Sequence, residues 1–371
     1  MRFFEHQRQA RAQSRRLSFF FAGVIVLQLV LVNAALLLPF LFVAWLFHIP
    51  LSQLDRLTPQ FFFMVNTGVS LFYILGGWWI ESSRLADGGH ALAKRIGALP
   101  AQRLENNRGV ASSRAAEIQF TNIVQEMALA ANMRPPTAFV LPRDASINAF
   151  AAGWDETDSI ICVTQGALDH LSRDELMGLV AHEFSHIYEG DTRLNMRLAG
   201  MVLGLELLHN LGIAVTEGSD NKLDLPGAIL GSVLRGAGWL GWTAARMMKA
   251  AISREREFLA DARAVQYTRQ KDGLGATLRK VQWQREHGWD GDRSGLQHPA
   301  VQHMLLVGDC PSSRALLQTH PPIAERIKRI YGRSMPALAA DTGTASAAWK
   351  NPFAASQPLP FAAPPPSGDR P

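Results

Sequence analysis

Two apolar runs, residues 19–47 and 61–80, dominate the N-terminal part of the chain. Each reaches the ~20 residues that carry a helix across the hydrocarbon core of a bilayer. Trp78 and Trp79 close the second run, where aromatic rings anchor at a membrane–water interface. The first run is too long for the apolar part of a cleaved leader, and no small-x-small cleavage site ends it. Both runs therefore read as spanning helices. A polar connector, 81–116, follows, with Asp87-Gly88-Gly89 as a turn signal. Ile118, Val124, Met127, Ala128 and Ala131 then recur at helical spacing, and Asn132 with Pro135-Pro136 ends that helix. Residues 137–141, 146–152 and 159–164 predict three short strands, the third rich in β-branched side chains. The next helix has both ends marked. Ser172-Arg173-Asp174-Glu175 is a capping box, Leu176, Leu179, Val180 and Ile187 form its apolar stripe, and Gly190 stops it.

Two further apolar stretches, 198–216 and 226–250, carry small residues at helical spacing: Gly200 with Gly204, and Gly227 with Gly231. Such spacing lets helices approach closely. We read them as a pair of spans. The alternative, a helix pair lying on the lipid surface, stays open because Glu206, His209 and Arg235 are costly in a bilayer. His209 alone on an apolar helix reads as a hydrogen-bonded packing residue rather than a metal ligand. Segment 334–371, rich in Ala, Pro and Ser and containing Pro364-Pro365-Pro366, predicts disorder. The expected plan is thus a basic tail (1–18), two transmembrane helices (19–80), the connector (81–116), a folded unit (117–333) with the hairpin 198–250 inside it, and the tail.

Composition supports the membrane reading. Of 371 residues, 47% are hydrophobic and only 19% charged. Arg2, Arg8, Arg11, Arg15 and Arg16 precede the first run, Arg56 stands alone in the loop, and Arg84, Lys94, Arg95 and Arg103 follow the second. The positive-inside rule then puts both ends in the cytoplasm, as expected of a multi-pass protein of the inner membrane. The net charge of +5 suits a surface resting on anionic lipid heads. No compact Lys/Arg patch with interleaved aromatics is present, which argues against nucleic acid as a partner. Cys162 and Cys310 form no CxxC pair. Cys162 lies in an apolar run and reads as a small buried hydrophobe, and a disulfide would not persist in a reducing cytoplasm.

The chemistry sits on the marked helix. His182-Glu183-Phe184-Ser185-His186 places two imidazoles four residues apart, hence on one face. That pair can grip one Zn²⁺ while Glu183 faces the reacting position as a general base. Burying two imidazoles and a carboxylate together with no cation would be costly. Catalytic zinc needs a third protein ligand. The class that supplies a third His at a fixed offset is excluded, because positions 189 and 192 are Glu and Thr. The acidic stretch Ser253-Arg254-Glu255-Arg256-Glu257-Phe258-Leu259-Ala260-Asp261 offers the ligand instead. Glu257 and Asp261 share a helix face. Glu257 would bind the metal and Asp261 would fix a ligating His by hydrogen bond, with Glu255 as the rival ligand. The reading is an α+β metallopeptidase, membrane-anchored and mainly helical, with a small β-sheet; its gluzincin type and the cleft-lining role of the edge strand are implied by the resemblance that follows.

These pieces resemble the HtpX-type integral-membrane zinc metalloproteases, the family that also holds the CAAX prenyl endopeptidase. The likeness rests on Ile147-Asn148-Ala149-Phe150-Ala151-Ala152-Gly153, on residues 172–191, on residues 253–261, and on Thr319-His320-Pro321-Pro322-Ile323-Ala324-Glu325-Arg326-Ile327. It implies one Zn²⁺ per chain, polypeptide substrates, a lipid bilayer as partner, and a role in membrane-protein quality control. It also implies that Asn148 and Ala149 belong to a substrate-binding edge strand, and that His320 and Arg326 reach the cleft to stabilise the oxyanion. A second His-Pro pair, His298-Pro299, lacks an Arg at the matching offset. Two rival readings remain: a membrane scaffold with structural zinc, and a prenyl-protein endopeptidase.

Overall fold

A computed structural model describes residues 2–48, 59–101, 111–217, 225–287, 304–306 and 320–339. Helix α1 (Arg2–Leu46) and helix α2 (Pro59–Ala86) carry the two N-terminal apolar runs. Helix α3 (Gly88–Arg95) and strand β1 (Leu99–Pro100) follow, then helix α4 (Ala111–Ala131). Strands β2 (Thr137–Leu141), β3 (Ala149–Ala152) and β4 (Ile160–Thr164) come next, with helices α5 (Gln165–His170) and α6 (Arg173–Glu189). Helix α7 (Asp191–Glu217) and helix α8 (Leu225–Thr268) form an antiparallel hairpin, and helices α9 (Asp272–Glu286) and α10 (Ile323–Tyr331) complete the order.

The sheet has the order β1-β2-β4-β3. β2 and β4 run parallel, while β1 and β3 pair antiparallel on the outside, so β3 is an edge strand. Alternation along the strands splits the core in two. Ala149, Ala151, Ile161 and Val163 face the main core with α4, α6, α9 and α10. Phe150, Ala152, Ile160 and Cys162 face a second core with Leu85, Leu92, Met196 and Ala199. Cys162 is buried and free, and burial pushes its thiol upward.

Among the described residues, three helices are long and apolar enough to cross a membrane: Phe19–Phe42, Gln60–Ala86 and Asp191–Glu217. The first two match the expected spans, and the third begins earlier than the stretch read from the sequence. The stretch 226–250 and the acidic stretch 253–261, read as separate elements, are parts of one helix, α8. Small residues set the packing around the hairpin. A Cβ on Gly200 or Gly204 would press on Trp78, Ser82 or Ile74 of α2. One on Gly212, Gly231 or Gly238 would press on Arg235, Thr216 or His209 across the hairpin. His209 Nδ1 meets the Arg235 carbonyl at 2.8 Å, a packing role. The described part of the connector carries the end of α2, then α3, β1 and the start of α4. His298-Pro299, Cys310 and segment 340–371 lie outside the described residues.

Candidate metal centre

Both ends of α6 form as the sequence dictates. Glu175 N–H donates to Ser172 Oγ, and Ser172 N–H donates to Glu175 Oε2 at 2.7 Å. Lys280 of α9 donates to that same oxygen at 2.8 Å, tying the cap to the core. Gly190 ends the helix with φ of 72°, a left-handed conformation that favours glycine. The chain turns there and enters α7 at once with Asp191.

His182 and His186 sit one turn apart and bring their Nε2 atoms within 3.2 Å of each other. Glu257 arrives from α8. Its Oε2 is 3.5 Å from His182 Nε2, and its Oε1 is 3.8 Å from His186 Nε2. One ligand atom from each of the three residues lies within 4.8 Å of the others. Zinc–ligand bonds of ~2.0–2.1 Å at tetrahedral angles separate ligand atoms by about 3.3 Å, so the triangle is sized for zinc. The donor set of two imidazoles and one carboxylate also suits that ion. Glu257 Oε2, though buried, forms no hydrogen bond; its other contact is an ion pair with Arg326 Nη1 at 3.2 Å. The side chain of Glu255, the rival ligand, lies outside what is described.

Each imidazole is held from behind. His182 Nδ1 approaches Asp261 Oδ1 at 3.1 Å. His186 Nδ1 donates to Asp191 Oδ2 at 3.0 Å, and Asp191 in turn pairs with Arg256 of α8. Glu183 is 1% exposed, and its Oε2 has no hydrogen-bond partner. Burial raises its pKa against the opposing effect of His182 and His186. Burial alone would lower His182, yet Asp261 and Glu257 hold it up at about 9. Burial would raise Glu257 and Asp261. His320 and Arg326 keep the first well below its ordinary range, and Arg326 with His182 keeps the second low.

Arg326 is fully buried against the triangle, with its Nη2 3.5 Å from His182 Nε2. Its Nε and Nη2 hold Asp261 at 2.9 and 2.6 Å, and its Nη1 donates to the Leu306 carbonyl at 2.9 Å. His320 precedes α10 and places Nδ1 3.2 Å from Glu257 Oε1, with neither ring nitrogen hydrogen-bonded. Asn148 and Ala149 lie at the start of β3, which packs on α6. Asn148 Oδ1 accepts from its neighbour Ala149 N–H at 3.0 Å, and the Ala149 carbonyl accepts from Leu306 N–H at 3.0 Å. Sequence reasoning missed Asp191, Arg256 and Leu306. Asp191 had a readable signal, since it is the first residue after the glycine that ends the zinc helix.

A His-Glu-x-x-His helix joined by one acidic ligand from a distant helix defines a zinc metallopeptidase. The chain matches the profile of Peptidase family M48 over residues 113–334. It is 34% identical over 212 residues to the Protease HtpX homolog of Dictyoglomus turgidum, covering 56% of this chain and 67% of that one. It is 30% identical over 292 residues to the Protease HtpX homolog of Streptococcus uberis, covering 73% of this chain and 92% of that one. Among solved structures it is similar to S. mikatae Ste24p at 17% identity and a TM-score of 0.37, over 88% of this chain and 66% of that one. This chain belongs to peptidase family M48, as an HtpX-like membrane protease.

Proposed function

We propose that this protein is an endopeptidase of the cytoplasmic membrane that cuts membrane or membrane-adjacent polypeptides, in protein quality control. The observation that carries the reading is the convergence of His182, His186 and Glu257 beside Glu183, whose buried Oε2 has no partner. Bound zinc supplies Lewis acidity and a water acidic enough to ionise near neutral pH. Glu183 takes the proton of the attacking water and passes it to the leaving amine; burial, by raising its pKa, suits it to that exchange. His320, whose Nε2 has no hydrogen-bond partner, donates to the developing oxyanion. Arg326 has its donors committed to Asp261, Glu257 and Leu306, so we assign it to holding the ligands. An extended substrate pairs with the edge strand at Asn148 and Ala149. Pairing at the Ala149 carbonyl requires Leu306 to leave it.

The charge pattern supports a cytoplasmic side for the N-terminal tail and the metal centre. His186 and Glu257 share one ion, so the hairpin between them crosses the bilayer twice or not at all. We take 117–333 as the catalytic unit. The three-ligand set speaks against a structural zinc, which takes four protein ligands. Glu183→Gln should keep zinc and lose about 10²–10⁴-fold in cleavage of a casein-type or membrane substrate. Unchanged cleavage rules out the hydrolytic role of Glu183. Comparing a prenylated peptide with a misfolded membrane protein as substrates separates the two peptidase readings.

A further inference from the structure

Residues that meet across the α7–α8 hairpin keep one register. His209 faces Gly238, Gly212 faces Arg235 and Thr216 faces Gly231. In each pair one number rises as the other falls by the same amount, as two antiparallel helices of equal rise require. Asp191 and Arg256 fall on the same register, about 32 Å of helix away from the Gly212 contact, by the ~1.5 Å rise per residue. Their ion pair is the last rung of the hairpin. That rung is part of the metal centre. Asp191 holds His186 Nδ1 at 3.0 Å, and Arg256 precedes Glu257 in the chain. A carboxylate behind a ligating imidazole fixes its orientation and raises its basicity.

We propose that Asp191 and Arg256 are positioning residues through which the membrane hairpin sets the orientation of His186 towards zinc. The proposal rests on the zinc reading above. Asp191 is 4% exposed and belongs to the first turn of a candidate membrane helix, so a shift in the hairpin moves the group that aims the imidazole. Arg256 pairs with Asp191 and acts by holding it in place.

The test is zinc affinity by chelator competition on the full chain in detergent, with the visible spectrum of the cobalt-substituted protein as a second readout. Asp191→Asn should weaken zinc binding about 10–100-fold and shift the cobalt spectrum. Arg256→Gln should weaken it in the same direction and by less, and Arg256→Lys should restore affinity. The double variant Asp191→Asn/Arg256→Gln should bind no more weakly than Asp191→Asn alone, because the two residues act as one unit. His186→Ala is the control for the zinc reading. If it keeps full zinc affinity, that reading falls. If it loses zinc while Asp191→Asn binds as tightly as the parent, the positioning role falls alone. Additive losses in the double variant overturn the claim that Arg256 works through Asp191.

Discussion

The two metal-binding histidines are one turn apart, yet they are held by carboxylates from different parts of the chain. His182 leans on Asp261, which Arg326 grips with two hydrogen bonds deep in the peptidase core. His186 leans on Asp191, which Arg256 holds at the top of the hairpin, with the Arg256 side chain 20% exposed. One support is dry and belongs to the folded unit. The other is partly wet and belongs to a hairpin whose first helix, α7, is long and apolar enough to cross a membrane. A site built this way couples two parts of the molecule through one ion.

Removing Arg326 should expose the contrast most strongly. Arg326→Met leaves Asp261 and Glu257 as buried carboxylates without their cation, at a cost of about 3–5 kcal/mol in stability. Arg256→Met should cost less, because it strands one buried carboxylate rather than two, and Asp191 keeps its bond from His186. Thermal unfolding of the two variants with matched zinc content measures the difference, and equal losses would erase the distinction between a dry and a wet support.

A second contrast concerns protons. His182 is held at about 9, whereas burial lowers His186 below its ordinary value. At neutral pH zinc therefore displaces a proton from His182 and none from His186. Zinc affinity should rise with pH by up to tenfold per unit until about pH 9, then level off. Calorimetry in buffers of different ionisation enthalpy should find about one proton released per zinc. Release of none would show that the acidic partners do not hold a proton on His182.

The smallest effect tests whether the two supports share a frame. Ser172→Ala removes half of the capping box at the far end of α6 and should cost about 1 kcal/mol. Both histidines ride on that helix, so zinc affinity should barely move, as chelator competition would record.

Helix α6 was legible in the sequence because its signals are local: a capping box, an apolar stripe and a terminal glycine all lie within its own residues. The strands 137–141 and 160–164 were legible for the same reason. Strand β3 starts at Ala149 rather than at 146, because Asp144 draws the Ser146 N–H and hydroxyl into a turn and Asn148 bonds its neighbour. Strand β1 escaped notice because two residues carry no periodicity and form a strand only by pairing with Val140 and Phe139. Glu257 was legible as an acid of the right kind. The continuity of α8 through it was not, since Ser253 and the charged run after it read as a fresh start. The link between Asp191 and Arg256 was not legible, for a physical reason. Their pairing depends on the register of a hairpin, which no local pattern encodes.

The bond from Leu306 to Ala149 has a consequence for which chains can be cut. An amide tethered in the same molecule competes at an effective concentration in the millimolar range, far above that of most free peptides. A guest that offers one backbone contact loses that contest. Under the edge-strand pairing proposed above, a long extended stretch, able to lay down several contacts in succession, competes better than a short one.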